Sequence, residues 1–306
     1  MLKLFKKLLV PVAALTVAAI VAGCGGPAAG LPKDPSQFTD QNIRDIVAAA
    51  VDNTLQVSSF TGRYFSSESY SGNGSGMIPA VSTINATMLS DRVSGRARID
   101  LSVGIAPMDA SQSSTSPIQM DISAYLYADY LYINTPLVSA TPWTKIPVNG
   151  SVLDMFSTRL FDNEVHMFDL PASVSYVRSE SVNGTECYVI KVIPNKDQVL
   201  AMAQRYQPSN TPIDWSKLAD ISQVFHDVSY TVWIAQDSFR FVKAESHAQA
   251  DFTSDGPFKD VISGVTITTD GSMYFTNYNE SVVITLPEAA RNAPDVSTNQ
   301  VPDLQQ

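Results

Sequence analysis

Apolar positions along the chain follow two rhythms. The first is helical. After Thr39-Asp40, the residues Ile43, Ile46, Val47, Ala50, Val51 and Leu55 recur three and four apart, which predicts one apolar helix face with a capping residue ahead of it. The second rhythm has period two. Residues 60–66, 82–89 and 96–103 read as short strands. In residues 117–135 Met120, Ile122, Ala124 and Leu126 fall on one face, while Gln119, Asp121, Ser123, Tyr125 and Tyr127 fall on the other, so this strand belongs to a sheet with two unlike sides. Ala128-Asp129 turns it into residues 130–134, and Trp143-Thr144-Lys145 follows.

Further on, residues 173–181 and 186–193 flank Asn183-Gly184, the strongest short-range hairpin signal. Residues 196–206 and 214–221 read as helices, and 153–168 as a weaker one. Residues 227–235, 239–252, 264–277 and 281–286 return to strands. The stretches 66–77 and 106–117 read as polar loops. Residues 288–306 lack an apolar period and read as a fraying end. The sum is an α+β fold, roughly ten strands of an antiparallel sheet with two or three helices set between them.

The first 24 residues obey neither rhythm. Lys3, Lys6 and Lys7 precede a charge-free, mostly apolar run over 8–22, which meets Val21-Ala22-Gly23-Cys24. A basic start, an apolar middle and small residues at the end describe a secretory signal, and the run is short of the roughly 20 residues of a stable span. The last four residues resemble a bacterial lipobox. That resemblance implies cleavage before Cys24 and attachment of diacylglycerol to its thiol, with an added acyl chain such as palmitate. The expected organisation is then a signal peptide over 1–23, a lipidated N-terminus and Gly/Pro/Ala-rich tether over 24–38, one domain over 39–293 and a flexible tail over 294–306. The expected location is the outer face of a bacterial membrane, in the cell envelope.

Charge sharpens this picture. The whole chain carries 20 basic and 30 acidic residues, and loss of the three leading lysines leaves a net charge of −13. An acidic surface argues against nucleic acid and against electrostatic adhesion to anionic lipid, so membrane contact falls to the acyl chains on Cys24. Cys187 is the one other cysteine. Within the strand-like Glu186-Cys187-Tyr188-Val189-Ile190 it reads as a buried small hydrophobe.

Four stretches carry a wider resemblance: residues 124–146 (AYLYADYLYIN…PWTKI), 182–193 (VNGTECYVIKVI), 230–245 (YTVWIAQDSFRFVKAE) and 274–293 (YFTNYNESVVITLPEAARNA). In order and character they resemble the LolA/LolB and LppX/LprG-like lipoproteins. That resemblance spans about residues 40–293. It implies a strongly curved antiparallel sheet, an incomplete barrel closed by helices, with an apolar cavity that accepts acyl chains in several members. The lining expected here is Met120, Ile122, Ala124 and Leu126 from the alternating strand, with Leu200 and Met202 from the helix over 196–206. The alternative is a closed core and an envelope module that engages a partner protein through an exposed aromatic patch around residues 125–143.

The chemistry of catalysis finds little support. His166, His226 and His247 share no ligand spacing, and Ser75 lies in a Gly/Ser run without a strand-to-helix setting. Asp251, Thr253, Asp255 and Gly256 imitate the start of a calcium loop, but Ile262 stands where the bidentate Glu belongs. No catalytic residue, cofactor or metal is therefore expected. A hydrolytic reading requires the fold to bring His226 or His247 beside a serine and a carboxylate.

Overall fold

The computed structural model describes residues 31–32, 34–72, 79–107, 118–134, 143–148, 168, 171–205, 221–253 and 264–295. All but Ile221 of the helix expected over 214–221, all but Phe168 of that over 153–168, the six residues 73–78 and Cys24 lie outside these. The first helix, α1 (Asp40–Leu55), begins where the pattern placed it. Thr39 caps it by accepting the Asn42 N–H at 3.2 Å, and the Asn42 side chain accepts the Thr39 N–H at 3.0 Å, a reciprocal capping box. The apolar stripe of Ile43, Ile46, Val47, Ala50 and Val51 is buried.

Eleven strands form one sheet in the order β6-β5-β4-β3-β2-β1-β11-β10-β9-β8-β7, every pair antiparallel. They are β1 (Ser59–Gly72), β2 (Pro79–Asp91), β3 (Arg96–Pro107), β4 (Ile118–Tyr127), β5 (Tyr130–Asn134), β6 (Trp143–Pro147), β7 (Ser173–Val182), β8 (Thr185–Ile193), β9 (Phe225–Ala235), β10 (Phe241–Phe252) and β11 (Val265–Thr276). The sheet does not close, since β6 and β7 are its two edges. Both expected tight turns form: Ala128-Asp129 and Asn183-Gly184 take positive φ at both positions, which the right-handed twist of a two-residue hairpin demands.

The helix α1 lies against β7, β9 and β10 and defines a helix face of the sheet. Its main core joins α1 to Tyr64, Ile84, Met88, Leu101, Met120 and Ile122 on one half and to Ile190, Val232, Phe241 and Met273 on the other. Hydrogen bonds fix the end of α1 to the sheet: Thr54 Oγ accepts from the Phe241 N–H at 3.2 Å, and Asn53 donates to the Ser238 carbonyl at 3.0 Å. A second helix, α2 (Lys196–Arg205), packs Val199 and Leu200 in a smaller cluster with Val224, Ala250, Phe252 and Ile267, at the far end of β10 and β11.

Three expectations change. Residues 66–72, read as loop, continue β1, because both neighbours pair with them: Ser66 opposes Ile84 and Gly271, and Glu68 opposes Ser82 and Thr269. Residues 281–286, read as a strand, join no sheet. The edges of β11 are already taken by β1 and β10, so this segment lies as a strap with Ile284 and Leu286 buried and Val283 80% exposed. Residues 288–295 are also more ordered than their composition suggests: α3 (Glu288–Arg291) buries Ala290, and Lys145 receives Asp295 at 3.1 Å and donates its N–H to the Pro294 carbonyl. Order at the front reaches into the tether, where Phe38 packs edge-on against Tyr176 and Tyr188.

Candidate functional site

The strand period delivers the expected face. Met120, Ile122, Ala124 and Leu126 share the helix face, and Met120, Ile122 and Leu126 are buried. Met120 and Ile122 enter the main core, whereas Ala124 sits with Leu131 and Ile146 near the β6 edge. Leu200 belongs to the separate cluster under α2, so the structure does not bring it together with Met120. Met202 lies on α2, with its side chain outside the described residues.

Between the two apolar clusters the helix face changes character on three adjacent strands. Along β1 the order is Tyr64, Ser66, Glu68, Tyr70; along β11 it is Met273, Gly271, Thr269, Ile267; along β10 it is Ala244, Ser246, Ala248, Ala250. Cross-strand pairs Ser66–Gly271–Ser246 and Glu68–Thr269–Ala248 put the small and polar residues side by side. Glu68 is only 9% exposed. Its Oε2 accepts from the Tyr70 hydroxyl at 2.6 Å and from Ser82 at 3.2 Å. Burial first, and then the charge of Glu68, raise the Tyr70 hydroxyl far above its ordinary pKa, which keeps it a donor to that carboxylate. Ser66 is 1% exposed and its Oγ has no hydrogen-bond partner among the described residues. These residues escaped the sequence reading because they fall in the stretch taken as loop; the alternation Ser66, Glu68, Tyr70 was the signal.

The opposite face is polar. A groove of about 810 Å³ lies over β1–β4 and β11, lined by Arg63, Phe65, Asn85, Asp100, Asp121 and Tyr274, with Asn183 of the β7–β8 turn also on its wall. Toward β6 the same face carries Tyr125, Tyr127, Tyr130, Tyr132 and Trp143, and the strap covers them: Tyr125, Tyr132 and Trp143 are buried with Ile284, Leu286 and Ala290. Among the described residues, Tyr125, Tyr132 and Trp143 therefore do not form the exposed aromatic patch expected of a partner-binding module. The rings pack against their cross-strand neighbours and the chain's own end.

The histidines divide. His226 approaches Asp251 at 3.5 Å, and His247 Nδ1 lies 2.7 Å from Asp270; His166 is outside the described residues. Ser229 opposes His247 on β9, so serine, histidine and carboxylate do share one row beside a hollow of about 320 Å³. No hydrogen bond joins Ser229 to His247, however, and the His247 and Asp270 side chains are open to water, so the row lacks the nucleophile–base bond that activation requires. Cys187 is fully buried, with its thiol aimed at the Thr185 carbonyl. Among the described residues no three His, Cys, Asp or Glu side chains gather as a metal site, and no helix is long and apolar enough to cross a membrane.

An open, curved antiparallel sheet with helices on its apolar face is the architecture that the resemblance implied. No family model and no curated protein matches the chain. Solved structures do. LprF from Mycobacterium bovis is similar at 10% identity over 81% of this chain and 97% of its own, with a TM-score of 0.44. The lipoprotein LppX of Mycobacterium tuberculosis is similar at 11% identity over 81% and 100%, with a TM-score of 0.37. A putative outer membrane lipoprotein-sorting protein domain from Vibrio parahaemolyticus is similar at 10% identity over 83% and 98%, with a TM-score of 0.27. The likeness is one of fold.

Proposed function

We propose that this protein is an exported lipoprotein, held to the membrane by acyl chains on Cys24, that binds a lipid or another amphiphile on the helix face of its sheet without catalysing a reaction. The observation that carries the reading is the extent of that face. Its apolar surface runs from the footprint of α1 on β7, β9 and β10 across to Met88, Leu101, Met120 and Ile122 on β2–β4. Acyl chains that settle there leave water at about 0.8 kcal/mol per buried CH₂. An anchored binder passes its ligand to a neighbour within reach of its tether.

The test is mass spectrometry of the full chain recovered from membranes. Intact mass is expected to show diacylglycerol on Cys24, and organic extraction is expected to release a further amphiphile in roughly equimolar amount. A chain carrying nothing beyond its own anchor refutes the binding function. The polar groove favours a second reading, in which a hydrophilic segment of an envelope partner protein lies over Arg63 and Asn85. A photocrosslinker placed at Asn183 then captures one specific partner, and capture of none removes this alternative.

A further inference from the structure

We infer that Glu68 and Ser66 form a head-group subsite on the helix face, one that takes the ammonium group of an amine-bearing amphiphile. The inference rests on the amphiphile reading and adds the chemistry of the ligand's polar end. Three observations support it. The carboxylate of Glu68 is nearly buried, yet among the described residues no cation pairs with it; a buried charge without a counter-charge is costly unless something supplies one. Among the described residues both donors to Glu68, Tyr70 and Ser82, go to Oε2, which leaves Oε1 able to accept from a ligand. The Ser66 hydroxyl, two residues along the same face, is buried with no partner among the described residues, and buried polar groups are nearly always satisfied.

The surroundings suit such a head group. Ser66 faces Gly271 across the strand pair and Ser246 beyond it, so this band contributes little side-chain volume. Apolar clusters flank it in both directions along the strands, toward Tyr64 and Met273 on one side and Ile267 and Ala250 on the other. Apolar core side chains therefore lie along the strands on either side of the head group. A phosphate or carboxylate head would face Glu68 as a like charge, which the site repels.

The experiment uses the full chain in phosphatidylcholine nanodiscs and three photoactivatable dodecyl probes that differ only in their head: amine, alcohol and carboxylate. Labelling of the β1 and β11 peptides is read by mass spectrometry. The amine probe is expected to label them about tenfold more than the alcohol, the gain of a charge-assisted hydrogen bond, and the carboxylate least. Glu68→Gln is expected to bring the amine down to the alcohol. Ser66→Ala is expected to weaken amine labelling while leaving the unfolding midpoint unchanged or higher, because it removes a buried hydroxyl with no partner among the described residues. A purely structural role for Ser66 would move the midpoint down instead. Equal labelling by amine and alcohol in the unaltered chain, or a folded Glu68→Gln variant that keeps the preference, overturns the subsite and leaves the amphiphile reading standing. Failure of every probe to label the helix face overturns both.

Discussion

The two faces of this sheet are made by the same strands and do opposite things. On β1, β3 and β11, Tyr64, Leu101 and Met273 turn to the helix face, while Arg63, Asp100 and Tyr274 turn the other way. The helix face is buried nearly throughout and holds its polar residues in one narrow band. The polar face is covered only toward its ends, by the strap over Trp143 and by the packing of Cys187, Val189 and Trp233. Stability therefore resides on one side, and freedom to change on the other. Because strand side chains alternate with period two, a slip of one residue would exchange the faces, and the long apolar helix face is what forbids it.

The widest gap between the faces is expected from two phenylalanines. Phe241 is fully buried against Phe168, with its backbone bonded to Thr54 and Tyr278; Phe241→Ala should cost about 3–5 kcal/mol in denaturant unfolding. Phe65, 44% exposed in the polar groove, should cost less than about 1 kcal/mol on the same change. Similar losses at the two sites would break the comparison. Next comes the strap. Leu286→Ala removes a buried side chain from over Tyr125 and Trp143 and should cost about 2–3 kcal/mol. It should also shift tryptophan emission to the red. If emission and stability both stay fixed, the strap does not cover that end of the polar face. A smaller effect belongs to the cap of α1: Thr39→Ala should lower stability by about 1 kcal/mol, measured the same way.

How much of this was legible depended on whether composition and period agreed. In β4 they agreed, and the four helix-face residues fell where parity put them. The Asn183-Gly184 hairpin was legible because its turn chemistry is local. Over residues 66–72 the two signals conflicted: Ser, Gly and Glu argued for a loop, while pairing on both sides made a strand. Pairing is a long-range property that a local window does not contain. Residues 281–286 failed in reverse, since an alternating pattern means one buried side but does not say that a sheet edge is free. The polar band at Glu68 was hidden for the first reason, and the groove around Arg63 because it is assembled from five strands far apart in sequence.

The last effect expected is alkaline, and its onset belongs to the polar face. Burial, then the charge of Glu186, push the Cys187 thiol up to about 11, against about 8.5 in an unfolded chain. The unfolded state thus loses this proton first, so the contribution is complete below about pH 8.5 and disappears by about pH 11. Lys243, on the same polar face, lies 4.2 Å over the Trp233 ring and pairs with Glu245 at 2.6 Å. Burial works against its charge, but the hydrogen bond and charge of Glu245 prevail, so its pKa is raised. Its contribution holds below about pH 10.4 and is lost above it. Both terms carry the same sign, and stability should fall as pH climbs from about 8.5. Cys187→Ala should flatten the first part of that fall, and Lys243→Met only the part above about pH 10.4. The helix-face variant Phe241→Ala should lower the whole curve without changing its slope. If Phe241→Ala altered the slope between about pH 8.5 and 10 as strongly as Cys187→Ala, the groups that titrate first would not be those of the polar face.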